Sequence, residues 1–164
     1  MSITIIIPTT NYRNKLVLRA LSYYRKHNQK VIVLDNSIKA TKFPLTKNEN
    51  YYHLPNKDFI DRIIIGIKKS KTKYIAVCQD DDFLNIPSLK YAEKFMNKNS
   101  SFVFVNGIDI YFENFLNRLQ LTKVYNDLSY NKLCSKDLYK RFKEIRSSKT
   151  QMTASLFKRS KIER

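Results

Sequence analysis

A chain of 164 residues with 43% hydrophobic content has enough apolar material for one packed domain and too little length for two. Lysine and arginine number 31 against 14 acidic residues, a formal charge of +17, which favours anionic partners: nucleotides, nucleic acid, acidic glycans or an anionic membrane surface. Two glycines, two cysteines and two histidines leave no P-loop, no dinucleotide fingerprint, no disulfide framework and no zinc spacing. The basic residues are dispersed rather than blocked, so a solvated charged face competes with any specific anion site.

Ile3–Ile7 has strand length and is apolar throughout, which predicts a strand buried on both faces and too short to span a membrane. The turn Pro8-Thr9-Thr10-Asn11 follows, and Leu16, Leu18, Leu21 and the Tyr23-Tyr24 pair predict a helix from Asn14 to about His27. Val31–Leu34 is a second buried strand, ending at Asp35-Asn36-Ser37. A polar stretch containing Pro44 leads to a short strand, Tyr51–Leu54. Asp58 can cap a helix to about Lys69, with Ile60, Ile63, Ile64 and Ile67 at helical spacing. Tyr74–Cys78 is the next strand, and Pro87-Ser88 opens a helix to about Asn97. Phe102–Val105 and Ile108–Phe112 are expected strands, or one strand bent at Gly107. Phe115, Leu116, Leu119 and Leu121 allow a short helix, Lys136 to about Arg146 a charged one, and Met152–Phe157 a last strand. This alternation implies right-handed crossovers and an α/β fold: a mostly parallel sheet with helices on both faces, in one domain over residues 1–164.

The most informative feature is Asp80-Asp81-Asp82, directly after the Tyr74–Cys78 strand. Open α/β sheets hold ligands at the carboxyl ends of their strands. Three adjacent carboxylates repel one another, so a positive partner is expected beside them, and a divalent metal is the obvious candidate because hard cations prefer carboxylate oxygens. The competing reading is a solvated turn that caps the helix beginning near Pro87. Helix capping also competes for Thr9 and Asn11, and a plain strand-end turn competes for Asp35. Three polar clusters nevertheless follow three parallel strands and share one rim. Asp35 and Asn36 can hydrogen-bond a base or sugar edge. The loop after the first strand leads into a helix N-terminus, which favours anions. The aspartates can carry a metal that neutralises a diphosphate.

With these pieces in order, Thr4-Ile-Ile-Ile-Pro-Thr-Thr-Asn11, Val31-Ile-Val-Leu-Asp-Asn-Ser37 and Lys73-Tyr-Ile-Ala-Val-Cys-Gln-Asp-Asp-Asp-Phe-Leu84 resemble a family 2 glycosyltransferase of the GT-A fold, over about residues 3–112. The resemblance implies a donor pocket lined by Thr9 and Asn11, with Asp35 facing the base. It also implies Asp80 near the ribose, Asp81 as metal ligand with Asp82 as the alternative, and Arg62 as a donor-binding residue on its helix. It implies Mg2+ or Mn2+ as cofactor and a nucleotide sugar, a UDP-sugar, as donor. The acceptor class would be a glycan, a lipid-linked or a protein acceptor, and transfer would invert the anomeric carbon. Cytoplasmic placement is expected, with peripheral contact to an anionic membrane.

Tyr12 departs from the family's pattern as an insertion between Asn11 and Arg13. The family's general base lies beyond the last strand placed here, whereas the sequence ends at Arg164, so no catalytic base is assigned and a transferase cut short is expected. Two alternatives stand beside the enzyme: a nucleotide-sugar-binding module without activity, and a basic domain binding nucleic acid or a membrane surface. Nucleic acid is disfavoured because the triple aspartate would repel a phosphate backbone.

Overall fold

Strand β1 (Ile3–Thr9) is buried along its whole length, as a central strand covered on both faces must be. A computed structural model of the chain describes residues 2–107, 110–115, 118–124 and 155–161. After β1 come α1 (Asn14–Lys26), β2 (Lys30–Asp35), β3 (Glu49–His53), α2 (Phe59–Lys69), β4 (Tyr74–Val77), α3 (Ile86–Lys98) and β5 (Phe104–Asn106). β6 (Ile110–Phe115), β7 (Arg118–Val124), β8 (Ser155–Lys158) and a short 3-10 turn over Arg159–Lys161 complete the described chain.

The described strands form a six-stranded sheet in the order β3-β2-β1-β4-β8-β5. β1 runs parallel to β2 and β4, and β2 parallel to β3. β8 is antiparallel to both β4 and β5. Successive side chains of a strand point to opposite faces, and the core divides accordingly. Ile5, Ile7, Val31, Val33 and Ala76 pack on one face with Val17, Leu21 and Tyr24 of α1 and with Ile86 and Met96 of α3. Ile6, Ile32, Leu34, Ile75 and Val77 pack on the other with Ile63 and Ile67 of α2. Gly66 lets α2 approach closely: a Cβ there would stand 2.8 Å from Leu34 Cδ1 and 3.0 Å from Ile6 Cγ2.

The α/β sheet with helices on both faces is as expected, and the strands and helices up to residue 98 match to within a few residues. The segment after Gly107 differs. β5 and β6 belong to different sheets, so they are not one bent strand. In place of a short helix around Phe115–Leu121, β6 and β7 form an antiparallel hairpin in which Phe112 pairs with Leu121 and Asn114 with Leu119. Phe115 and Leu119 are four apart, as on a helix face, whereas Leu119 and Leu121 are two apart, alternate positions of β7. The expected helix at Lys136–Arg146 lies outside the described residues. No described helix is long and apolar enough to cross a membrane.

Candidate functional site

The chain winds from β1 through α1 to β2 on one side, and from β3 through α2 to β4 on the other side of β1. The winding direction therefore reverses between β1 and β4, and a crevice at such a reversal is where open α/β sheets bind ligands. Thr9 closes β1 at this point. β4 ends at Val77 and leads into a turn in which Asp82 N donates to the Gln79 carbonyl at 3.2 Å.

Asp80 is buried beneath the turn. Thr9 Oγ1 donates to Asp80 Oδ2 at 2.5 Å, and Arg13 Nε donates to Oδ1 and Oδ2 at 2.8 and 2.9 Å. Arg13 Nη2 lies 2.6 Å from Asp80 Oδ1 and 2.7 Å from Asp81 Oδ2. The hydrogen bonds to Asp80 and then Asp81 hold the Arg13 guanidinium above its ordinary pKa. Arg19 Nη2 donates to the Asp81 carbonyl at 2.8 Å, and its guanidinium covers the Phe83 ring at 4.8 Å. The positive partner called for by the aspartates is thus an arginine at the start of α1, with a second arginine fixing the main chain of the turn.

The other end of the crevice is built around Asp35, fully buried at the end of β2. Its Oδ1 accepts from Ser37 N at 2.8 Å and from Ser37 Oγ, and its Oδ2 accepts from the Tyr51 hydroxyl at 2.7 Å. Burial and then the Asp35 carboxylate push the Tyr51 hydroxyl up to about 12. His53 Nε2 donates to the Ser37 carbonyl at 2.7 Å, closing the loop over Asp35. Arg62 is buried on α2, where Nη1 donates to the carbonyls of Thr9 and Leu34 at 2.6 and 3.1 Å. Burial lowers its pKa, against the raising pull of Asp35, Asp58 and Asp80. Arg62 therefore ties the ends of β1 and β2 together from below.

The loops above are cross-linked. Asn11 Oδ1 accepts from Ile38 N at 2.9 Å, Thr10 Oγ1 donates to Asn36 Oδ1 at 2.8 Å, and Asn36 Nδ2 donates to the Lys57 carbonyl at 3.2 Å. Between Asn11 and Arg13, Tyr12 is fully exposed with φ of 65°. A left-handed backbone is unusual for a bulky residue, and such strain persists only where the surroundings over-determine it.

The capping readings fail for the aspartates and for the first loop. α3 is capped by Asn85, whose side chain accepts from Ser88 N. α1 begins after Arg13 with no side-chain cap bond. Thr9, Asn11, Asp35, Arg62 and Asp80 thus share one rim in internal contacts, with Asp81 at the edge. No group of three or more described His, Cys, Asp or Glu side chains is arranged to hold a metal ion. The donor set does not make a protein-only cage.

Sequence reasoning missed Arg13, Ser37, Tyr51 and His53 as members of the site. Arg13 carried a usable signal: it is the only cation in the loop after β1, and β1 adjoins the strand that delivers the aspartates. Tyr51 carried none, because its contact with Asp35 depends on the β2–β3 register.

Residues 4–164 match the Glycosyl transferase family 2 profile. No curated protein matches the chain. Among solved structures, S. aureus TarS 1-349 in complex with UDP is similar with a TM-score of 0.57 at 16% identity, over 98% of this chain and 47% of that one. A further TarS 1-349 structure from S. aureus gives 0.50 at 20% identity, over 67% of this chain and 34% of that one. The bifunctional IspDF from Campylobacter jejuni gives 0.53 at 11% identity, over 99% of this chain and 42% of that one. The chain thus spans between about a third and a half of the TarS structures. At these identities the structural likeness establishes the fold, while the profile covers nearly every residue, crevice included: the chain belongs to glycosyl transferase family 2.

Proposed function

We propose that the crevice binds a nucleotide-diphosphate sugar, a UDP-sugar, and that the chain is the donor-binding part of a glycosyltransferase acting on a glycan, lipid-linked or protein acceptor. One observation carries this reading: in a family 2 chain, Asp35 and the Thr9–Asp80–Arg13 cluster stand on one rim at the reversal of the sheet. The UDP bound to S. aureus TarS, which shares the fold, supports the choice of nucleotide.

In this reading the loop at Asp35-Asn36 takes the base edge, with Asn36 at its surface and the buried Asp35, held by Ser37 and Tyr51, fixing its shape. Asp80 faces the ribose while Thr9 and Arg13 fix its orientation. Arg13 offers a planar donor to the diphosphate, which guanidinium geometry matches bidentately. Asp81, with Asp82 beside it, would hold Mg2+ or Mn2+. When bound, that ion shields the diphosphate and stabilises the departing nucleotide as a Lewis acid. Inversion at the anomeric carbon is part of the proposal, as is work at the cytoplasmic face of an anionic membrane, to which the +17 charge is suited.

The test is calorimetric titration of the chain with UDP and UDP-sugars in Mn2+, followed by a donor-hydrolysis assay on the chain and on Asp81→Ala. Metal-dependent uptake with turnover lost in Asp81→Ala is the expected result. Uptake without turnover in either protein would leave a binding module, and no uptake of any sugar nucleotide would sink the reading.

A further inference from the structure

We propose that Arg13 is a built-in counter-cation that keeps the Asp81 carboxylate from divalent metal until a diphosphate arrives to engage the guanidinium. The inference rests on the reading of the crevice as a nucleotide-diphosphate site and adds an order of events to it.

The two carboxylates held by Arg13 are unlike. Asp80 is buried and receives Thr9 Oγ1 together with two Arg13 nitrogens, so it is a fixed anchor. Asp81 is 48% exposed and meets Arg13 through one contact of 2.7 Å. Ion pairs open to water are weak and exchange readily. Arg13 can therefore release Asp81 while staying on Asp80.

A metal at Asp81 competes with Nη2 for Oδ2, and its charge would sit against the guanidinium. Once phosphate oxygens engage that Nη2 hydrogen the competition ends, and the phosphate charge offsets the repulsion. Arg19 holds the Asp81 carbonyl rather than its side chain, so the turn stays in place while the carboxylate changes partner. Metal and diphosphate then assist each other's binding, and by linkage the assistance is mutual. Arg13 acts here as a positioning residue.

The experiment measures Mn2+ affinity by the loss of the free-ion paramagnetic resonance signal, with and without UDP and corrected for the Mn2+ that UDP itself chelates, in the wild-type chain, Arg13→Gln and Lys15→Gln. Circular dichroism establishes that each variant is folded. Without nucleotide, Arg13→Gln is expected to bind Mn2+ about tenfold more tightly than wild type, a typical coupling between linked sites. Lys15→Gln, which removes an exposed charge two residues along, is expected to change it less than about threefold, the size of a screened field effect. UDP is expected to tighten Mn2+ about tenfold in wild type and much less in Arg13→Gln.

Should Arg13→Gln fail to fold, Arg13→Lys replaces it. An ammonium keeps the charge but cannot serve both carboxylates through a fork, so tighter Mn2+ binding is again expected. Equal Mn2+ affinity in wild type and the Arg13 variant, or an equal gain in Lys15→Gln, would overturn the proposal. If the wild-type chain takes up no UDP at all, the nucleotide reading fails, while the Mn2+ comparison still decides whether Arg13 occupies Asp81.

Discussion

Asp35 accepts three hydrogen bonds while fully buried. Asp35→Asn would turn an amide N–H toward one of those donors, at a cost of about 1–3 kcal/mol. Thermal melting should show a fall of about 2–4 °C per kcal/mol for a chain of this size. Tyr51→Phe keeps the ring on Phe43 and removes the bonds to Asp35 and from Thr41 N. It is expected to weaken UDP binding in calorimetry with a smaller loss of stability.

Glu49 sets the pH behaviour. Burial alone would raise its carboxyl, but Arg25 at 2.7 and 2.8 Å and Thr46 N outweigh burial and hold it below the usual range. A carboxyl depressed in the folded state adds stability above its unfolded pKa of about 4.3, and that stability is lost as pH falls through the folded value. Melting temperature should therefore drop on the acid side, and Glu49→Gln should flatten that limb while lowering stability at neutral pH.

The helices owe their placement to end signals and to one close contact. Asp58 accepts from Asp61 N at the start of α2, and Asp58→Ala should cost about 1 kcal/mol by chemical denaturation. Gly66 sits where α2 crosses β1 and β2. Gly66→Ala recovers about 1 kcal/mol of helix propensity but forces a methyl against Leu34 and Ile6, an overpacking of about 1–3 kcal/mol. A net loss of about 1 kcal/mol is expected, and a gain in the melting midpoint would refute this account of the packing. Capping and helical spacing were readable from residue types because they act within one turn of chain. The β6–β7 hairpin was not, because the spacing of Phe115, Leu119 and Leu121 mixes a helical and a strand interval and strand pairing decided the outcome.

Across the molecule, a group of cations lies at the rim opposite the crevice. Asp35, Asp58, Asp61 and Asp80–Asp82 lie at the carboxyl rim with the crevice. At the opposite rim α2 ends in Lys68 and Lys69, the approach to β4 carries Lys71 and Lys73, and antiparallel β8 delivers Lys158 and Arg159 to the same edge. Arg159 Nε donates to the Thr72 carbonyl at 2.9 Å, which fixes β8 there. Cations at helix ends offset the helix dipole, but those on the strands add to them. Retention on anionic vesicles should fall steeply with salt and drop in a Lys68→Glu, Lys71→Glu double variant whose UDP affinity is unchanged. A loss of UDP affinity in that variant would contradict the separation of the two rims.

The order of strands and helices up to α3, the two-faced core and the polar rim at the strand ends all follow from apolar runs, helical spacing and polar strand ends, since these are local properties of the chain. The family was readable for the same reason, its polar clusters each standing next to a strand. What required the folded molecule was the pairing of charges across that rim. Arg13 and Asp80 are 67 residues apart and meet because β1 and β4 are neighbours in the sheet. Residue types announce that a carboxylate needs a counter-charge, but long-range strand order selects the group that supplies it.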